Sequence, residues 1–579
     1  MPDKRKAVAV RAALARGDLL AAYDQVRLRT ENSSELDYLE VLTLARLGDT
    51  VRGLQLYNAY GLGTREDADA LALNARLLKD AGFGSGGALD IPLLEGACDL
   101  YESIYRRTGD PYPAVNAATL ARMIGRDALA KELAEVVVSQ PGAETARDYY
   151  SQASLVEAWL VLGDLERARA ALQKALRAKD ADFGKRSTTA IQLQRLAPVL
   201  GVDVGVEELA ALIGPPAVAT YRGHMFLAKP GVEARLATRI RVELEAERVG
   251  FAYGSLAGGS DILFAEQALA LGIELHVVLP VTEADFIKQA VAPTGPSWVA
   301  RYEACRDAAT SVTFASTMSH VGGQGQFAYG SKVAMGMARL RARHLHGDVV
   351  QMAIMGKAAG PSAQARSDLR AWQAKGGRSV VIETEPLPMP PAPAAPTLTE
   401  VARGNYGLMF TDFPGFARLD ERALPLFNSE VMARAAASLR DHTDAVLHKN
   451  TWGDAVYVVF SDILACADAA LELCKCLQDV DPSVLGLRQN AAMRIALHYG
   501  PTYSGVDPVT ERTTYYGSEV SRAARIEPVT PPGSVYVTEP FAAVLEMEPG
   551  HNFACDYVGR VELPKGYGTF PLYRLRRGS

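Results

Sequence analysis

The chain has 579 residues, 48% of them hydrophobic and 22% charged, with a formal net charge of −6. That length suits three or four domains, the composition is that of a soluble globular protein, and the slightly acidic balance excludes a general electrostatic footprint for nucleic acid. The six cysteines (98, 305, 466, 474, 476 and 555) lack metal-type spacing and read as reduced cytosolic thiols, with Cys474 and Cys476 on one helix. The opening MPDKRKAVAVRAAL has no continuous apolar core of a secretory signal, and no run is long enough to cross a bilayer. The expectation is a cytoplasmic protein with no membrane partner.

Residues 1–200 read as helix after helix. Ala, Leu, Arg and Glu dominate, and apolar positions recur at three and four. The breaks are Gly-Asp or Gly-x-Asp turns, in LARGDLLAAY, LARLGDTVRGL, MIGRDALAKEL and VLGDLERARAAL. Helix pairs that cannot bury a face alone imply an all-α solenoid of tetratricopeptide-like units. The block DPYPAVNAATLARMIGRDALAKELAEVV, followed by YYSQASLVEAWLVLGDLERARAAL, resembles the TRAF-binding region described in stress-activated MAP kinase kinase kinases. That resemblance implies an architecture, not a TRAF partner. Two roles fit it: a spacer that assists dimerisation, or a surface for a protein partner.

The helices are expected to end within VLGVDVGVEELAALIGPPAVA, Val199 to Ala219, and residues 215–385 change character. Val249–Tyr253 reads as a strand, Gly254–Asp261 as a glycine-rich turn, Ile262–Ala270 as a helix and Glu274–Leu279 as a strand. Val349–Ile354 and Ser379–Ile382 complete a mostly parallel, Rossmann-like α/β sheet. Amides at the glycine-rich turn can cradle a phosphate, so a nucleotide-like ligand stands beside a purely structural role. The pattern is neither G-x-G-x-x-G nor a P-loop, and is similar to the nucleotide-sensing Rossmannoid domains of bacterial signalling and defence proteins. Asp261 is read as a helix cap. Arg339, Arg341, Arg343 and His344 are read as a solvated face near a helix C-terminus.

Residues 386–400 form the clearest linker, and the prolines of PLPMPPAPAAP imply a semi-rigid polyproline spacer. Beyond it, NYGLMFTDFPGFARL (405–419) reads as a strand running to Asp412 beside a Pro-Gly turn. KNTWGDAVYVVF (449–460) has a hairpin turn at Gly453 and Asp454, then a buried strand from Ala455 to Phe460. A single turn aspartate is usually structural. A hairpin tip beside a strand end can nevertheless bring two carboxylates to one sheet edge, where their repulsion makes most sense around a divalent cation.

Two further blocks follow, MRIALHYGPTYSG (493–505) and YYGSEVSRAARIEPVTPPGSVYVTE (515–539). In order and spacing the four blocks resemble the catalytic domain of class III nucleotidyl cyclases, over about residues 401–575. The resemblance implies an α+β, ferredoxin-like domain that works as a homodimer on a nucleoside triphosphate. It further implies two Mg2+ or Mn2+ ions held by Asp412, Asp454 and the Phe413 carbonyl, with Gly415 and Phe416 of the same turn against the substrate. Arg525 matches the transition-state arginine, supplied by the opposite protomer, and Lys565 lies near the polyphosphate-binding lysine. Ser521 stands where the family usually has a ribose-orienting asparagine. The base-selecting positions hold Asn450 and Thr514, neither the adenine (Lys/Asp) nor the guanine (Glu/Cys) pair; a one-residue bulge would bring the adjacent Lys449 to the pocket. Trp452 and Tyr516 either line that pocket or pack under the hairpin, and His498 is read as structural.

The implied function is metal-dependent conversion of a nucleoside triphosphate, by default ATP, to its 3′,5′-cyclic monophosphate and pyrophosphate under control of the N-terminal domains. Two alternatives stand beside it: a pyrimidine cyclase of the antiphage signalling type, and a degenerate cyclase fold that binds a nucleotide as a regulator.

Overall fold

The Gly-Asp turns of the N-terminal third have a direct physical basis. Gly17, Gly48 and Gly163 end their helices at φ of +73°, +81° and +80°, the left-handed region that glycine enters freely. The aspartate that follows each one then caps the next helix, with the side chains of Asp18, Asp49 and Asp164 accepting from backbone N–H groups of its first turn. The turn at Gly125 has Arg126 at the capping position and no side-chain cap.

The structure, a computed structural model, describes residues 2–578 apart from 29–32, 66, 84–88, 201–202, 323–324, 357–362, 386, 392–401 and 488–490. It divides into two compact units, one of residues 1–215 with 344–347, the other of 216–343 with 348–578. The first is helical throughout its regular structure. Asp203–Ile213 forms its last helix, and the run breaks at Gly214 to Pro216. Inside this unit Lys79 is buried, and its Nζ donates to Asn116 Oδ1 (3.0 Å) and Gln192 Oε1 (3.2 Å). Burial lowers the Lys79 pKa to about 8. Among the described residues no helix is long and apolar enough to cross a membrane.

The second unit contains two sheets. The first is wholly parallel and comprises β1 (Ala217–Arg222), β2 (Val249–Gly254), β3 (Glu274–Leu279), β4 (Ser311–Phe314), β5 (Val349–Gly356) and β6 (Arg378–Thr384). Their spatial order is β4-β3-β2-β1-β5-β6. The glycine-rich turn leads into α1 (Ser260–Ala270) as expected, but Asp261 is not its cap. Asp261 is buried and accepts from Gly223 N (2.8 Å) and Ser255 Oγ (2.7 Å), tying the loops after β1 and β2 together.

α2 (Gly325–Leu345) corrects the reading of a solvated face at Arg339, Arg341 and His344, whereas Arg343 is exposed. Arg341 and His344 are buried, the Arg341 guanidinium lies 4.5 Å from the centre of the Phe251 ring, and that of Arg339 lies 4.6 Å from the centre of the Trp372 ring. Long cationic side chains cover apolar surface with their stems and aromatic faces with their heads. The proline-rich linker also begins as packed structure: Leu387 is buried in the core of the parallel-sheet domain, and Leu227 N donates to Pro388 O (2.8 Å). Residues 386 and 392–400 of the linker lie outside the described residues.

The second sheet contains β7 (Ala402–Asp412), β8 (Val446–Trp452), β9 (Ala455–Phe460), β10 (Arg494–Val506), β11 (Thr513–Tyr516), β12 (Val535–Thr538), β13 (Phe553–Leu563) and β14 (Gly568–Arg577). Seven run in the order β13-β14-β12-β10-β7-β9-β8, and β11 pairs with β10. α3 (Ile463–Gln478) carries Cys466, Cys474 and Cys476; α4 (Ser518–Ile526) and α5 (Glu539–Glu546) follow. The two sheet domains pack where α2 and the turn before β6 meet α5 and the residues just after it: Lys332 of α2 and Lys375 of that turn both pair with Glu548 (2.7 and 3.1 Å), and Arg343 pairs with Glu546.

At this contact a Cβ on Gly336 would overlap the backbone carbonyl of Ala543. Gly336→Ala should therefore destabilise the second unit by about 1–3 kcal/mol. Gly96, exposed in the helix Ile91–Thr108, has nothing within reach of a Cβ, and Gly96→Ala should stabilise the first unit by about 0.5–1 kcal/mol. Calorimetric unfolding of the two variants checks both signs.

Candidate functional site

β7 is an interior strand, paired with β10 on one side and β9 on the other, and its last residue is Asp412. Phe413 next to it is buried, with its ring 5.0 Å from that of Phe427. The chain then turns at Gly415, where φ is +91°, and Phe416 N donates to the Phe413 carbonyl (3.2 Å). That oxygen keeps a second lone pair for another partner. β8 and β9 form the expected hairpin, with Gly453 at φ +62° and Asp454 in its turn. Thr411 Oγ1 accepts from Val456 N (3.1 Å) and locks the hairpin to the end of β7.

This packing brings the two aspartates together. Burial raises the Asp412 pKa, and Asp454 raises it further, through its charge and as a hydrogen-bond partner, while Arg494 opposes the shift. Arg494 is the cross-strand neighbour of Asp412, and its Nη1 lies 3.8 Å from Glu527 Oε1. Burial pushes the Glu527 pKa up to about 7, with Asp412 and Asp454 adding to the effect. Arg494 and Glu527 are thus members of the site that the sequence reading missed. Their available signals were an arginine at the first position of an apolar strand and a glutamate two residues after Arg525.

Two nearby carboxylates that repel one another are a donor set suited to a hard divalent cation. Among the described residues no three His, Cys, Asp or Glu side chains are arranged to hold one. A pair of carboxylates with open positions fits an ion that shares its coordination with water and a polyphosphate, rather than a closed structural site.

α4 presents two different faces. Glu519, Arg522, Ala523 and Ile526 are buried, whereas Ser521 is exposed and Arg525 partly so. Ser521 and Arg525 are four residues apart and share one side of the helix. Lys565 is exposed in the turn between β13 and β14 at φ +63°, and Tyr567 OH of the same turn donates to Ser518 O (3.2 Å).

The positions expected to read a base fall on β8 and β11. Asn450 is exposed, with Oδ1 accepting from Thr451 N (2.9 Å), and Thr514 is half-buried. Lys449 requires a correction. The irregularity in β8 falls between Val446 and His448, and pairing is regular at Lys449↔Val458 and Asn450↔Tyr457. Successive side chains of a regular strand point to opposite faces, so Lys449 does not share the face of Asn450. His448 does, and its ring lies 5.6 Å from that of Tyr457 and 6.0 Å from that of Tyr515. Trp452 is 67% exposed, so it does not pack under the hairpin, and Tyr516 stacks on Tyr503 (5.7 Å).

Residues 400–577 match the family of the adenylate and guanylate cyclase catalytic domain, and residues 15–121 match the Tetratricopeptide Repeats-Sensor family. The chain is 28% identical over 160 residues to an adenylate cyclase of Schizosaccharomyces pombe, covering 25% of this chain and 10% of that protein. It is 29% identical over 172 residues to a pH-sensitive adenylate cyclase of Mycobacterium tuberculosis, covering 29% of this chain and 40% of that one. The chain thus spans about a tenth and two fifths of these relatives. Among solved structures, the guanylate cyclase domain of a Catenaria anguillulae protein in complex with GTP is 19% identical at a TM-score of 0.26, over 30% of this chain and 97% of that one. The adenylyl cyclase CyaB of P. aeruginosa is 17% identical at a TM-score of 0.27, over 31% and 100%. The C-terminal part is a class III adenylate/guanylate cyclase catalytic domain, and the N-terminal part carries tetratricopeptide sensor repeats.

The acidic cluster sets a pH dependence. Glu527 keeps its proton to about pH 7 in the folded protein, against an ordinary value of 4.5. Between those values the folded state binds more protons than the unfolded one, so this group's contribution to stability falls as pH rises through that window. A cation bound there would replace the proton as counter-charge. Mn2+ should therefore raise the melting temperature more at about pH 8 than at about pH 6, and Glu527→Gln should flatten that difference. Thermal unfolding with and without Mn2+ reads both effects.

Proposed function

We propose that the cyclase domain converts a nucleoside triphosphate to its 3′,5′-cyclic monophosphate and pyrophosphate, acting as a homodimer with sites shared between protomers. The observation that carries this reading is the pair Asp412 and Asp454, held together at the end of β7 by the β8–β9 hairpin. In this reading the two carboxylates and the Phe413 carbonyl hold two Mg2+ or Mn2+ ions. The cations would lower the pKa of the ribose 3′-hydroxyl and neutralise the polyphosphate.

The chain's own residues divide the remaining work. Arg525 meets the charge that grows on the α-phosphate and leaving oxygens. Its place on the outward side of α4 supports its use by a second protomer. Ser521, with one hydroxyl, takes the ribose-orienting role at shorter reach than asparagine. Gly415 lets the turn beside Asp412 close, Phe416 packs beside it, and Lys565 binds the polyphosphate. Asn450 and Thr514 meet the base, with His448 beside Asn450 on the same face.

ATP is the default substrate, as the two curated relatives are adenylate cyclases. A pyrimidine triphosphate is the second reading. Its support is that the lysine nearest the pocket, Lys449, faces the other way, which leaves neutral side chains to meet the base. The parallel-sheet domain is proposed to be Rossmann-like and to take a nucleotide-like ligand where its strand order reverses, between β1 and β5. The helical repeats are proposed to receive a protein partner, in a cytoplasmic setting.

Shared sites make a specific prediction. Asp412→Ala and Arg525→Ala should each lower turnover by at least about 100-fold. Co-expressed in one cell, the two variants should recover roughly a quarter of wild-type turnover, because half of the dimers are mixed and each mixed dimer has one intact site. Full activity in either variant, or no recovery on mixing, would count against this reading.

A further inference from the structure

The buried face of α4 is unusual for so short a helix, because two of its four buried side chains are charged. Glu519 and Arg522 are 0% and 3% exposed. Glu519 Oε2 accepts from His498 Nε2 (2.8 Å) and forms an ion pair with Arg522 Nη1 (3.1 Å). The His498 ring is fully buried and its Nδ1 lies 2.8 Å from Thr538 Oγ1. Thr538 Oγ1 itself accepts from Phe541 N, so its hydroxyl proton is free for Nδ1 and the Nε2 proton for Glu519. Burial works against the Glu519 charge, but Arg522, His498 and Ser316 hold its pKa down at about 2.

The remaining partners come from the other sheet domain. Ser316 Oγ donates to Glu519 Oε1 (2.8 Å), and Arg522 Nη2 donates to Thr317 Oγ1 (3.0 Å). Ser316 is fully buried, and its Oγ also accepts from Met318 N (3.1 Å), which fixes the loop. From α2, Tyr329 OH donates to the carbonyl of Tyr499, next to His498 (2.6 Å). Ser316 and Thr317 lie in the loop that follows β4, one residue beyond its end, at the carboxyl edge of the parallel sheet.

We propose that the loop after β4 positions the catalytic helix: acting through Glu519 and Arg522, Ser316 and Thr317 set the rotation of α4 and hence the aim of Ser521 and Arg525. An isolated helix of 9 residues has little stability of its own, so tertiary contacts decide where it sits. The buried face is bonded at Glu519 and Arg522, which bracket Ser521 in sequence, and Arg525 lies three residues after Arg522. A change of helix rotation therefore moves the outward face directly. Glu519, Arg522, Ser316 and Thr317 are positioning residues, because none of them touches the substrate in this account.

The inference rests on the cyclase reading for its kinetic test, so a second readout is independent of turnover. In the full-length protein, Ser316→Ala with Thr317→Val should lower kcat about tenfold or more while KM for the triphosphate stays within about twofold. Hydrogen exchange at residues 518–526 should speed up about tenfold, with the melting temperature nearly unchanged. Glu519→Gln should reproduce the kcat loss and Glu519→Asp should restore part of it. Wild-type kcat together with unchanged exchange in the double variant would overturn the proposal, as would a kcat loss that only tracks the unfolded fraction. If the wild-type protein forms no cyclic nucleotide, the catalytic reading fails alone, and the exchange measurement still decides whether the loop holds α4.

Discussion

Two carboxyl groups held side by side at the end of a sheet dominate the physics of the C-terminal domain. Asp412 terminates an interior strand and Asp454 sits in the turn of the neighbouring hairpin, so neither can move away without unpairing backbone. Burial first and their repulsion second raise the Asp412 pKa, and the same two causes push the Glu527 carboxyl up to about 7. Arg494, opposite Asp412, relieves part of it. A site kept under this electrostatic load gains most when a cation arrives, which is the property that a metal-dependent phosphoryl reaction needs.

The same domain meets its neighbour through charge as well. α4 buries an ion pair against the hydroxyl-bearing loop after β4 and turns its other side outward. A buried ion pair adds little to stability over an apolar contact of the same shape, and one role such pairs serve is to specify geometry. In this protein the specified geometry is that of the helix bearing Arg525. The two sheet domains lie within one compact unit.

Much of this was legible in the sequence, and the misses have physical causes. The Asp412 turn and the Gly453-Asp454 hairpin were readable because glycine and aspartate at tight turns follow local backbone rules. The Gly-Asp helix boundaries were readable for the same reason. The helix Asp203–Ile213 was not, because glycine and proline around it imitate a break. The strands β1 and β4 escaped as well: β1 follows directly on the glycine-proline break at Gly214 to Pro216, and β4, of 4 residues, alternates with an exposed face at the sheet edge. The place of Lys449 depended on pairing register, which sequence spacing alone leaves open.

The long-range partners were beyond sequence reasoning altogether. Arg341 looked like surface charge until Phe251 and Glu274 were seen beneath it. Ser316 and Glu519 lie 203 residues apart, and only the packing of the two sheets joins them. Catalysis at the Asp412–Asp454 pair would be read out by mass spectrometry of the products after incubating the full-length protein with all four nucleoside triphosphates and Mn2+. The expected products are a 3′,5′-cyclic mononucleotide and an equal amount of pyrophosphate. Recovery of every triphosphate unchanged, with nucleotide still bound to the protein, would contradict catalysis at this pair and leave the fold as a nucleotide-binding regulator.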